Sequence, residues 1–132
     1  MQIPKPETLT VHDLTVMLFE RMITLLKRTG GWIQSQMANN ADGEPCSVCA
    51  ADASCFCLIG ARDRALHDVC RVLGTHVLHL HDASSNLYYS IEDACEGRPM
   101  AWNDEPSRTQ EQVVKKVEQA FADWKARHAA KA

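Results

Sequence analysis

Four stretches of this chain carry apolar residues three and four positions apart, each bracketed by residues that start and stop helices. That periodicity restricts the fold more than any other feature, because a helix has to bury its apolar stripe against another element. In the first stretch Val11, Leu14, Leu18, Met22 and Leu25 recur on one face. Thr10 with Asp13 opens it, Lys27 and Arg28 suit the negative end of the helix dipole, and Gly30-Gly31 closes it. The second stretch carries Cys57, Ala61, Ala65, Leu66, Val69 and Leu73, with Asp52 or Ser54 as its cap and Gly74 as its stop. Gly60 inside it predicts a close crossing with another helix.

The third stretch carries Leu87, Tyr88, Ile91, Ala94 and Cys95, with Asp82, Ser84 or Ser85 as cap and Gly97 before Pro99 as stop. The fourth has Thr109 and Gln112 as a capping box and Val113, Val117, Ala120, Phe121 and Trp124 as its stripe. Glu111–Lys115 and Asp123–Arg127 stand one turn apart along it and predict ion pairs. Between these stretches, Trp32 to Met37 is compatible with a short helix, and 38–51 and 98–107 read as long loops. Residues 75–82 fit a helical turn or an extended piece equally well. Residues 1–8 hold two prolines and read as an extended lead-in, and 128–132 as a frayed tail. The expectation is one all-α domain over residues 1–132, with about four main helices.

Charge narrows the function. The formal net charge is −3, against the basic stripe that phosphate contacts need, so nucleic acid is not an expected partner. No apolar run approaches the length of a membrane span, and no leader pattern opens the chain, so a cytoplasmic location is expected. Phosphate-binding Gly loops, His-Glu-x-x-His and nucleophile-elbow patterns are missing from the sequence.

Several short signals fall in a recognisable order: Trp32-x-Gln34, Asp42-Gly43, Cys57-Leu58-x-Gly60-Ala61, and Trp102-Asn103-Asp104 followed by Arg108-Thr109. In this order the chain resembles a family of small helical proteins from bacteria and their phages, classed as a domain of unknown function, over roughly residues 9 to 124. The resemblance implies a compact helical fold and a mobile-element context, and no established activity. Members of that family often carry Cys at the place of Ile33 and Trp at the place of Phe56. The Cys46–Cys49 pair and the His76–His81 cluster look particular to this chain, so a function resting on either would not be a family function.

The candidate binding face comprises Trp32, Gln34, Asp42, Trp102, Asn103, Asp104 and Arg108. As a recognition site it offers an amphipathic aromatic, amides, a carboxylate and a guanidinium. As architecture, Trp102 would plug the core while Asn103 and Asp104 bond loop backbone and the free N–H groups of the last helix. The leading functional expectation is a non-enzymatic module that binds another protein or a second copy of itself. The alternative is a small hydrolase with Asp104 as general base and Gln34 or Asn103 orienting the substrate. A third reading is a zinc-stabilised module using the loop from Cys46 to Cys57.

For zinc, a helix starting near Asp52 would point Cys55 and Cys57 about 200° apart, so they could not share an ion. Cys46, Cys49, Cys55 and His79 are the set that remains. The cluster His76, His79 and His81, with His67 and Cys70 near in sequence, gathers three imidazoles on neither a helix nor a strand. Cys57 lies in an apolar helical context, a poor place for a nucleophile. No cofactor is therefore expected.

Overall fold

The computed structural model describes residues 8–74 and 79–129. Most of the proposed lead-in (residues 1–7), His76 and the last three residues of the proposed tail lie outside them. The helices are α1 Val11–Lys27, α2 Leu58–Leu73, α3 Leu80–Ala94, α4 Pro99–Asn103 and α5 Gln110–Ala129. Two short strands, β1 Ala38–Asn40 and β2 Ala53–Phe56, pair antiparallel. The protein is thus mostly helical, with four long helices and one short one among the described residues.

The apolar periodicity builds the core. Leu14, Leu18, Phe19, Met22, Leu25 and Leu26 of α1 are fully buried, and α1 packs against α2, α3 and α5. Phe19 stacks on Phe121 of α5 with ring centroids 4.8 Å apart. Burying side chains of this size contributes about 2 kcal/mol each. Helix α5 runs antiparallel to α1. Its Gln110 Nε2 donates to the carbonyls of Leu26 and Arg28 at 2.7 Å each, while Trp124 lies 4.9 Å from the His12 ring at the other end.

The predicted helix start at Thr10 and the predicted capping box at Thr109 both form, each with reciprocal bonds. The Asp13 N–H donates to Thr10 Oγ1 at 3.0 Å and the Thr10 N–H to Asp13 Oδ2 at 3.1 Å. The Gln112 N–H donates to Thr109 Oγ1 at 3.2 Å and the Thr109 N–H to Gln112 Oε1 at 3.0 Å. The Glu111–Lys115 pair closes at 3.0 Å. Arg127 turns instead towards Asp93 of α3, at 4.0 Å, so the expected Asp123–Arg127 pair is replaced by one across helices. Helix α5 continues to Ala129, beyond the expected onset of fraying at residue 128, with His128 Nδ1 donating to the Trp124 carbonyl at 2.8 Å.

Residues 32–53 depart most from expectation. No helix covers Trp32–Met37; the segment runs beside β2 through a parallel bridge between Trp32 and Phe56. The Phe56 N–H donates to the Gly31 carbonyl at 2.9 Å and the Ile33 N–H to the Phe56 carbonyl at 3.1 Å. The expected loop at 38–51 contains β1, and Ala53–Phe56, where the cap and first turn of the second helix are expected, is β2. Here partners distant in sequence satisfy the backbone, which local periodicity does not register.

Helix α2 therefore starts later than Asp52 or Ser54. Its N-cap is Cys57, whose Sγ accepts from the Gly60 N–H at 3.3 Å. Gly60 does mark a close approach, but against the Met37 backbone and not another helix. A Cβ there would stand 1.9 Å from the Met37 carbonyl oxygen. Helix α3 starts at Leu80, ahead of Asp82, Ser84 and Ser85, with His79 as a left-handed N-cap (φ 72°) that makes no side-chain cap. Within the expected loop at 98–107, Pro99 begins the single turn of α4.

Candidate functional site

Asn103, the last residue of α4, joins two segments distant in sequence. It is 0% exposed and uses all the hydrogen-bonding capacity of its amide. Its Oδ1 accepts from the Trp32 indole N–H at 2.7 Å and from the Leu58 N–H at 2.9 Å. Its Nδ2 donates to the Ile33 carbonyl at 3.2 Å and to Asp104 Oδ1 at 2.9 Å. The amide thus caps the first turn of α2 from outside that helix, a task that the Cys57 sulfur performs for Gly60.

The neighbours of Asn103 follow the same logic. Gln34 Nε2 donates to the carbonyls of Asn103 at 3.0 Å and Glu105 at 2.8 Å, closing the carboxyl end of α4. Asp104 Oδ1 also accepts from the Ser35 N–H at 2.9 Å. Ser35 has φ 70°, a left-handed conformation that is uncommon away from glycine and asparagine. Arg108 Nε donates to the Trp102 carbonyl at 2.8 Å, and its guanidinium lies 3.8 Å from the centroid of the Trp102 ring.

The structure therefore brings together Trp32, Gln34, Trp102, Asn103, Asp104 and Arg108, and of these Trp102 and Arg108 line a cleft. Asp42 does not join them. It sits exposed in the turn after β1, where its N–H donates to Asn40 Oδ1 at 3.0 Å. Turn chemistry accounts for Asp42-Gly43, with Gly43 at φ 81°.

Beside the Trp102–Arg108 stack opens a cleft of about 430 Å³, lined by Cys95, Glu96, Arg98, Trp102, Glu105 and Arg108. Among the described residues no carboxylate lies within ion-pair distance of Arg98 or Arg108. Lys116 stands over the Trp102 ring at 5.4 Å. Burial pushes the Cys95 thiol up to about 11, which keeps it protonated and unreactive at neutral pH.

The proposed zinc ligands do not gather. Cys46 is half-buried, Cys49 is exposed, Cys55 is buried on β2 with its Sγ donating to the Asn39 carbonyl at 3.6 Å, and His79 is exposed at the start of α3. Among the described residues no three His, Cys, Asp or Glu side chains are placed to hold one ion. Cys55 and Cys57 are separated by the change from strand to helix and not by a helical rotation. Burial raises the Cys57 thiol, so the expectation of a poor nucleophile agrees with its environment.

Two polar networks on α2 escaped sequence reading. Asp68 accepts from Arg64 Nε at 2.9 Å and from Arg21 Nε and Nη2 of α1 at 2.8 Å each. Burial alone would raise this carboxyl, but Arg21 and then Arg64 outweigh burial and hold it below the ordinary range. Arg64 Nη1 also donates to the carbonyls of Val48 and Ala50 at 2.9 and 2.7 Å, pinning the cysteine-bearing loop to α2. In the second network the Tyr88 hydroxyl donates to Asp63 Oδ1 at 2.7 Å under the stacked Arg62. Burial, then Asp63, pushes Tyr88 up to about 12. The Arg64–Asp68 spacing of four was legible in the sequence; the arrival of Arg21 from α1 was not.

Among the described residues no helix is long and apolar enough to cross a membrane. No curated protein and no solved structure matches the chain. The model of a family of unknown function, DUF6197, matches residues 12–123, a span that takes in every residue of the Asn103 network and both α2 networks; the chain belongs to that family.

Proposed function

We propose that this protein is a non-enzymatic binding module that takes an acidic segment of a partner protein against the Trp102–Arg108 face. One observation carries this reading. The Arg108 guanidinium is held by stacking and by a bond through Nε, so its remaining N–H groups border an open cleft with no carboxylate among the described residues paired to them. A pre-oriented guanidinium is a bidentate receptor for a carboxylate, and Arg98 and Lys116 add positive charge that offsets Glu96 and Glu105 of the same lining. Arg and Trp are also the residue types that dominate binding energy at protein interfaces.

The inner half of the corner supports this division of labour. Trp32, Gln34, Asn103 and Asp104 bond one another and the backbone, and so frame the face without being presented by it. The hydrolase reading asks for a general base that faces the cleft, whereas Asp104 is not among the residues lining it.

Selection from a displayed library of random peptides tests the proposal. The expected result is enrichment of Asp- and Glu-rich peptides on the unmodified protein and loss of that enrichment with Arg108→Gln. Peptides without acidic bias, or the same acidic peptides on both proteins, would overturn it.

A further inference from the structure

The register of α1 against α5 carries two histidines to one end of the molecule. Phe19 and Phe121 stack with ring centroids 4.8 Å apart. His12 lies seven residues before Phe19, and His128 seven residues after Phe121. Seven residues are about two helical turns, so each histidine leaves its helix on the same side as its phenylalanine. The helices are antiparallel, so both steps run in the same direction. The outcome is visible at Trp124, whose ring has the His12 imidazole at 4.9 Å and the His128 imidazole at 4.8 Å. The two imidazole centres therefore lie no further apart than those distances combined, and both rings line one cleft of about 650 Å³.

His128 is already oriented as a ligand. Its Nδ1 stands 2.8 Å from the Trp124 carbonyl, which can only accept, so Nδ1 carries a proton and in the neutral ring Nε2 keeps its lone pair. A backbone carbonyl on the other ring nitrogen is the usual outer partner of a metal-bound histidine. His12 is exposed and makes no hydrogen bond through its ring among the described residues, so its imidazole can turn between rotamers. Asn86 of α3 lines the same cleft. Its Nδ2 donates to Thr15 Oγ1 at 3.2 Å, which leaves Oδ1 as an oxygen donor. Lys125, the other charged group of the lining, directs its ammonium at the Phe121 ring, 4.0 Å from the centroid. No thiol and no carboxylate lines the cleft.

We infer that His12 and His128 together bind a late first-row divalent cation, with Asn86 Oδ1 as a third donor and water completing the shell. Two imidazoles suit Zn²⁺, Ni²⁺ or Cu²⁺, whereas the carboxylates that hold Ca²⁺ or Mg²⁺ are missing from the lining. The ion clasps the start of α1 to the end of α5. The site shares no residue with the cysteine loop or with the Trp102–Arg108 face, so its failure leaves the reading of that face untouched.

The test is a titration of the ¹⁵N-labelled, reduced full chain with zinc chloride, followed at the imidazole resonances. His12→Gln and His128→Gln assign the two rings; His12 is exposed at the start of α1, so its variant keeps the fold even if the other does not. The expected result is that both imidazoles shift together and saturate at one equivalent of zinc. Removing either histidine should weaken zinc at the other by about tenfold or more. Cys49→Ser should change nothing, and calcium chloride should move neither ring. Zinc shifting one ring alone, an affinity that neither histidine variant lowers, dependence on Cys49, or no saturation up to roughly 1 mM zinc would overturn the inference.

Discussion

The indole N–H of Trp32 donates to Oδ1 of Asn103 at 2.7 Å across 71 positions of sequence. The same oxygen holds the first backbone N–H of α2. One buried amide therefore couples the segment after α1, the start of α2 and the end of α4. Asn103→Ala strands two donors and an acceptor carbonyl at once, and is expected to cost about 3 kcal/mol or more. Trp32→Phe removes one donor and costs about 1–2 kcal/mol. In urea unfolding the double variant should cost clearly less than the sum of the two, since both changes break the same bond. Strict additivity would show that the two residues act separately.

Ser35 adopts a left-handed backbone in which its N–H reaches the Asp104 carboxylate. Glycine takes that conformation without the Cβ penalty, so Ser35→Gly is expected to be neutral or stabilising by up to about 1 kcal/mol. Asp104→Ala removes the acceptor for both Ser35 and Asn103 and is expected to destabilise by about 1–2 kcal/mol. Thermal melts of the two variants should move in opposite directions or differ by several degrees.

Gly60 lies in α2, where alanine would ordinarily favour the helix by about 1 kcal/mol. Here the added methyl would meet the Met37 carbonyl oxygen at 1.9 Å, an overlap with backbone that no rotamer relieves. Gly60→Ala is therefore expected to destabilise by about 2–4 kcal/mol despite its better propensity. A denaturant midpoint at or above that of the parent protein would contradict the close approach of α2 to residue 37.

Asp68 is held below the ordinary carboxylate range by Arg21 and Arg64 against the effect of its burial. A depressed folded value means that its contribution is present above the unfolded value, about 3.9, and is lost as pH falls through the folded value. Stability should fall on acidification below about pH 4, and Asp68→Asn should flatten that limb while lowering stability at neutral pH. Urea midpoints measured between about pH 2.5 and 7 would show this.

Arg64 ties the carbonyls of Val48 and Ala50 to α2. Arg64→Ala is expected to release the loop carrying Cys46 and Cys49 while leaving α2 helical. Alkylation of Cys46 by iodoacetamide, read by mass spectrometry, should then accelerate several-fold, whereas Cys49, already exposed, should change little. Equal rates for Cys46 in both proteins would show that Arg64 does not govern access to the loop.

The helices were legible because their information is local. Leu14, Leu18 and Met22, or Val113, Val117 and Phe121, fall on one face whatever surrounds them, and Thr10–Asp13 and Thr109–Gln112 cap within one turn. The clustering of Trp32, Gln34, Asn103 and Asp104 could be proposed from residue types and their places beside helix ends. Tertiary structure decided what those groups do. Asn103 became a buried cap for another helix, Asp42 stayed in its own turn, and Trp102 and Arg108 alone faced a cleft.

The strands and the start of α2 had no local signature, since Ala53–Phe56 is extended only because Gly31, Ile33 and β1 are there to pair with it. Periodicity and capping are properties of neighbours along the chain, so the sequence by itself determined the four long helices and their buried faces. Backbone pairing and the partner of each buried amide depend on which distant segments meet. Those were settled only when α1 packed among α2, α3 and α5.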